Sequence, residues 1–261
     1  MANKYLARDD APFGAEVWEA LDAAALGAAR GQLAGRRLLH VEGPYGLGLK
    51  VVPLQDAEME AGFVARALPL VLIRKGFSLG VRDLAAFERE KIALDLGPVA
   101  EAATAAARQE DALIFLGATG VPGLLSAEGV HELTLSPWEQ AGAAAEDIVR
   151  AMTALDDAGF HGPYALGLAP ALYNRLFRLY PHGNQSEMEH LKTMVADGVF
   201  KAPVLESGGV LLATGRQYAV IVLGQDMAVG FVGPAEGRLE FSISESLVPL
   251  IRQPGAICML K

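Results

Sequence analysis

The chain has 261 residues, enough for one large domain or two small ones, and 52% of them are apolar, too many for a disordered polymer. Its 22 basic residues against 31 acidic ones give a net charge of −9, which argues against nucleic acid or an anionic membrane surface as the main partner. The single cysteine, Cys258, excludes an internal disulfide and a thiolate zinc site; in the run Ala256-Ile257-Cys258-Met259-Leu260 it reads as a small buried hydrophobe, and cysteine poverty fits a reducing compartment.

The N-terminal residues carry no apolar stretch of a secretory signal, and no apolar run approaches the roughly 18 residues of a membrane span, so a soluble, cytoplasmic protein is the expectation. Residues 15–33 predict an amphipathic helix: Val17, Leu21, Ala24, Ala25 and Ala28 recur at helical spacing, Trp18 flanks the stripe and Gly35 offers a stop. Residues 38–41 predict a short strand ended by the turn Gly43-Pro44-Tyr45-Gly46. Residues 47–54 and 63–78 lack a helical period and predict two long extended arms. A ribbon of that kind exposes its edges unless another chain covers them.

Residues 83–90 and 98–116 predict helices, the second with a stripe of small side chains at Val99, Ala102, Ala103, Ala106 and Ala107. Residues 136–155 predict another, with Ser136 as N-cap, Pro137 in the first position and Glu139 completing a capping box. A strand at 164–168 and a helix at 170–179 follow. The helix at 186–196 is capped by Ser186, with Glu189 three residues on. Between these helices lies a polar loop tip, Tyr180-Pro181-His182-Gly183-Asn184-Gln185. Residues 210–214 and 219–223 predict a hairpin around Gly215-Arg216-Gln217, and 239–244 and 256–260 two final strands. Helices and strands intermix without βαβ alternation, which points to an α+β fold.

A search for catalytic equipment fails. His131-Glu132 begins like a zinc-protease helix, but Leu135 stands where the second histidine is needed. His182 and His190, eight apart across a helix start, read as polar surface and not as a metal pair. The glycine-rich run from Gly117 to Gly123 follows a helix and lacks the Gly-Lys-Ser/Thr ending of a phosphate loop. Gly46-Leu47-Gly48 has Val51 in place of the third glycine of a dinucleotide fingerprint. No serine sits in a G-x-S-x-G elbow. The carboxylate pairs Glu146-Asp147 and Asp156-Asp157 read as solvated helix faces. The chain is therefore expected not to be an enzyme.

A series of short motifs runs along almost the whole chain. It begins with Ala11-Pro12, Trp18 and Leu33-Ala34-Gly35-Arg36-Arg37. It continues through Val41-Glu42-Gly43-Pro44-Tyr45-Gly46, Phe87-Glu88-Arg89, Glu110-Asp111-Ala112-Leu113-Ile114-Phe115, Gly123-Leu124-Leu125-Ser126 and Gly162-Pro163-Tyr164. It closes with Gly224-Gln225-Asp226 and Glu245-Ser246. In their order and spacing these motifs resemble the shell proteins of encapsulin nanocompartments (family 1, linocin/bacteriocin-like), which have the Hong Kong 97 phage capsid-like fold.

The resemblance implies a lumen-facing N-terminal helix and start of a peripheral domain over 1–42, and an extended arm (E-loop) over 43–74. It further implies a peripheral domain with a spine helix over 75–135, an axial domain over 136–223, and return strands of the peripheral domain over 224–261. It implies self-assembly of identical subunits, about sixty (T=1), into a closed icosahedral compartment. It implies a cargo protein of the ferritin-like or peroxidase class, held inside by its C-terminal targeting peptide. The positions matching the cargo-peptide site are Leu33, Arg36, Leu39, His40, Val41, Asp226, Met227 and Val229. His40 stands where the family often has an acidic residue, which implies a different preferred tail. Residues Tyr180, Pro181, His182, Gly183, Asn184 and Gln185 match the loop lining the five-fold pores. His182 would then recur five times around one opening, and its protonation would alter ion passage. Arg82 occupies the place of the tryptophan beside which some relatives bind flavin, so no cofactor is expected. A viral major capsid protein of the same fold is the alternative reading, and a hydrolase or bacteriocin-like enzyme the third.

Overall fold

The computed structural model describes residues 4–60, 62–181 and 183–261. The first helix, α1 (Ala15–Arg30), buries Val17, Leu21 and Ala25 of the expected stripe together with Ala29, while Ala24 and Ala28 are half-buried. It stops short of Gly35, which instead opens a four-residue helix, α2 (Gly35–Leu38). Glycine is required there for a different reason: a Cβ on Gly35 would lie 2.6 Å from Ile114 Cδ1. The short strand follows as β1 (His40–Glu42).

The extended region forms three strands, β2 (Val51–Met59), β3 (Gly62–Pro69) and β4 (Val71–Gly80). Among the described residues β2 and β3 pair only with each other, antiparallel, as a two-stranded ribbon. Val51, Met59, Phe63 and Val64 on this ribbon are exposed, Phe63 by 75%. Then come α3 (Val81–Glu90) and the long α4 (Gly97–Leu116), whose small residues let it lie close against α1 and β4.

The next elements are β5 (His131–Leu133), α5 (Ala143–Asp157), β6 (Tyr164–Leu168), α6 (Pro170–Arg175), α7 (Glu187–Met194), β7 (Val199–Lys201) and β8 (Gly209–Ala213). The long strands β9 (Ala219–Ala235) and β10 (Arg238–Ile251) and the short β11 (Ile257–Leu260) complete the chain. Two larger sheets result: one of order β1-β9-β10-β4, the other β5-β11-β8-β6-β7. α1 and α4 cover the first sheet, and α5 and α7 contribute to a second core. The five-stranded sheet serves both cores by alternation: Val210 and Leu212 of β8 face the first, Leu211 and Ala213 the second.

Four expectations are corrected. Helix α5 begins at Ala143, not Ser136. Ser136 donates its amide and hydroxyl to Asp147 (2.7 and 3.0 Å), and Trp138, 2% exposed, donates its indole N–H to the same carboxylate at 2.9 Å. The carbonyls of Trp138, Glu139 and Gln140 are gathered by the Arg178 guanidinium. Burying the indole and satisfying these groups outweighs a local cap worth about 1 kcal/mol. Second, Asp147 is buried, not part of a solvated face. Burial pushes its pKa up, but Arg150, Trp138 and Ser136 together hold it below the usual carboxylate range. Third, β8 and β9 do not form a hairpin: residues 214–218 carry the chain from one sheet to the other. Both segments are buried on both faces, so neither has an alternation that would set a pairing. Fourth, the second extended arm, expected over 63–78, breaks after β3: residues 71–80 form β4 and pair with β10 in the four-stranded sheet, while β11 is hydrogen-bonded between β5 and β8.

Candidate cargo-docking groove

The eight predicted site residues fall into three places. Leu33, Arg36, Asp226, Met227 and Val229 line one groove of about 330 Å³ between α1 and β9. Ala25, Leu26 and Ala29 of α1 complete its apolar wall, with Arg8 and Asp22 at one end and Arg30 on the rim. Leu39 and His40 belong to a separate, shallower depression with Pro163, Asp197 and Arg216. Leu39 is also part of the first core, while His40 is exposed. Val41 pairs in register with Ile221 and packs against the same core, away from the groove. The resemblance grouped all eight; α2 turns the chain between Leu33 and Leu39, so Leu39, His40 and Val41 leave the groove.

The Arg36 end of the groove holds a charge cluster. The guanidinium makes a two-pronged contact with Glu110 (2.7 and 2.8 Å) and reaches Asp226 at 2.8 Å and Glu245 at 3.1 Å. Glu110 and Glu245 are 0% exposed. Burial works against the Arg36 charge, but the Glu110 and Asp226 carboxylates more than offset it, raising its pKa. Burial, with Glu110 alongside, pushes the Glu245 carboxyl up to about 10. One Glu245 oxygen, Oε1, has no hydrogen-bond partner, which a neutral acid tolerates better than a carboxylate. Next to the cluster, Asp111 accepts the amides of Ala34 (2.8 Å) and Gly35 (2.9 Å) and so fixes the start of α2. Burial raises its carboxyl to about 6 against the pull of those two amides.

Glu110, Asp111 and Glu245 were not singled out as site residues. The signal was present: Glu110 falls in phase with the stripe Val99, Ala103, Ala106 and Ala107 on α4, and Glu245 alternates with Phe241, Ile243 and Leu247 on β10. A charge in phase with a buried face calls for a buried partner of opposite sign.

Glu245 gives stability a pH dependence. Its carboxyl titrates near 4.5 when unfolded and near 10 in the fold. The stabilisation is complete below 4.5 and is lost as pH rises toward 10, at a slope of at most about 1.4 kcal/mol per pH unit. Glu245→Gln keeps the shape and removes the titration. Denaturation midpoints between pH 6 and 9 should fall more steeply for the parent than for the variant; parallel slopes would contradict the buried proton.

The loop from Tyr180 to Gln185 lies elsewhere. Tyr180 donates its amide to the Gln185 carbonyl, and its hydroxyl meets His190 Nδ1 at 2.7 Å, pinning the loop to α7. His182 lies outside the described residues. Residues His131–Leu133 form a strand against β11, not a zinc-binding helix. Cys258 is buried and its thiol is pushed up to about 11 by burial. Among the described residues no cluster of His, Cys, Asp and Glu could hold a metal, and no helix is long and apolar enough to cross a membrane.

The fold, with its long helix on a mixed sheet, projecting two-stranded ribbon and second sheet, is that of phage-capsid-type shell proteins. A solved virus-like particle from Pyrococcus furiosus superposes with a TM-score of 0.78 over 94% of this chain and 100% of that one, at 22% identity. The capsid of Myoviridae phage XM1 superposes with a TM-score of 0.64 over 85% of this chain and 88% of that one, at 14% identity; both likenesses are of fold. A family model described as "Encapsulating protein for peroxidase" matches residues 3–248. The type 1 encapsulin shell protein EncA of Myxococcus xanthus is 33% identical over 98% of this chain and 96% of its own length. The chain belongs to the encapsulin shell-protein family.

Proposed function

We propose that about sixty copies of this chain close into an icosahedral compartment whose inner wall offers the α1–β9 groove to the C-terminal tail of a cargo enzyme. The observation that carries assembly is the β2–β3 ribbon: among the described residues it pairs with no other strand, and it presents Phe63, Met59, Val51 and Val64 to solvent. A neighbouring copy is the partner that covers such a surface in every subunit at once. In this reading residues 1–42 are the lumenal helix and start of the peripheral domain, and 43–74 the arm. Residues 75–135 and the return strands after 224 complete the peripheral domain, and 136–223 form the axial domain. The loop around Tyr180, Pro181, Gly183, Asn184 and Gln185, with His182, lines the five-fold opening. The compartment is cytoplasmic, and the chain itself catalyses nothing.

The groove suits a tail with aliphatic side chains, since its walls are Ala25, Ala29, Leu33 and Val229. The family description names a peroxidase as the encapsulated protein, and a peroxidase or ferritin-like enzyme fits this role. Many grooves facing one lumen raise effective concentration, so a weak single contact suffices. Ala29→Trp fills the groove from α1 without touching the ribbon. Co-expressed with its cargo, this variant should give intact particles that are depleted of cargo at least about tenfold. Full loading of the variant would remove the groove from the mechanism.

A further inference from the structure

We propose that the tail binds as an added strand along residues 227–229 of β9, on the side where no strand among the described residues pairs with it, and that Arg8 and Asp226 are displaceable caps there. This rests on the docking role proposed for the groove and specifies how the occupant is held.

β1 pairs with β9 only at Val220, Ile221 and Val222, and the amides of Tyr45 and Gly46 then reach the carbonyls of Leu223 and Gly224. Further along, β9 has β10 as its strand partner on one side, and a bulge interrupts the ladder between Gln225 and Ala228. This stretch is the one that walls the groove. Its backbone groups are held by charged side chains. The Val229 carbonyl accepts Arg8 Nε at 2.8 Å, and the Met227 amide donates to Asp226 Oδ1 at 2.8 Å. The Val229 carbonyl therefore points away from β10, and in a strand the N–H of the same residue points the same way.

Charged caps and a bulge are the usual protection of a sheet edge against unwanted pairing. Here the protected stretch runs alongside the apolar wall of Ala25, Ala29 and Leu33. Each cap also has a second partner. Arg8 holds both Asp22 oxygens (2.8 and 2.6 Å) and lies over the Trp18 ring, and Asp226 holds Arg36. Releasing the edge leaves neither charge unpaired. An extended peptide fits both surfaces, its backbone on Val229 and its alternate aliphatic side chains against α1.

The test uses assembled full-length chain and a panel of heptapeptides with Leu, Ile, Val or Met at alternate positions and Ser between. Each peptide is also made in two N-methylated forms, one blocking the odd amides and one the even. The expected result is groove binding competed by the Ala29→Trp contrast, a loss of about tenfold or more in one methylated register only, and slowed hydrogen exchange at the Val229 amide. Binding that is lost in Ala29→Trp but equal in both registers, without protection of Val229, would overturn strand addition and leave the groove standing. No groove binding by any unmethylated peptide would overturn both.

Discussion

Arg36→Met should destabilise the fold by about 3–5 kcal/mol, because it leaves the fully buried Glu110 carboxylate without its partner. In a chain of this size that corresponds to a fall of roughly 6–20 °C in thermal midpoint. The loss is one of desolvation and not of a surface ion pair: Glu110 cannot turn to water, and burial, with Glu110 alongside, already pushes the neighbouring Glu245 carboxyl well above the ordinary range. The double variant Arg36→Met/Glu110→Gln should regain most of the stability, since a neutral amide replaces the orphaned charge. Midpoints measured at equal protein concentration would decide it, because assembly adds its own concentration-dependent term. A single variant as stable as the parent, or a double variant no better than the single, would show that Glu110 finds another way to be satisfied.

The second large effect concerns assembly. Replacing Phe63 and Met59 together by Asp places two charges on the exposed side of the ribbon. Neither residue belongs to either core, so the subunit itself should fold with little change in stability. Closed particles should be lost, because burying an unpaired carboxylate at each of many identical contacts costs several kcal/mol per copy and the cost repeats around the shell. The measurements are secondary-structure content by circular dichroism and particle size by light scattering. Particles of parental size and yield would show that the ribbon does not carry the contact.

Much of the fold was legible in the sequence where local pattern and tertiary structure agree. The Ser186 cap is the clearest case: Glu189 bonds back to the Ser186 amide at 2.7 Å while its own amide reaches the Ser186 hydroxyl. The same motif at Ser136 misled, because a carboxylate eleven residues on, Asp147, takes both donors and Trp138 is drawn into the second core. The extended region was legible from its missing helical period, but not where the ribbon ends: residues 71–78, read as part of the second arm, belong to β4 and pair with β10. The separation of β8 from β9 was not legible, since neither strand shows which face is buried. In the groove, helical spacing had singled out only Ala25 of the apolar lining on α1; Leu26 and Ala29 lie outside the stripe it gave. Leu39, His40 and Val41 were assigned to the same site by the family resemblance, and the turn of α2 carries them outside the groove that Leu33 and Arg36 line. The buried acids Glu110 and Glu245 were readable only by asking why a charge falls in phase with a hydrophobic stripe.

The most direct test of the container role is the mass of the purified chain in solution, measured by mass photometry. The expected result is a single dominant particle of about sixty times the 27.5 kDa subunit, hollow by negative-stain microscopy. A chain that remained a 27.5 kDa monomer at high concentration, with the β2–β3 ribbon slow in hydrogen exchange, would contradict it.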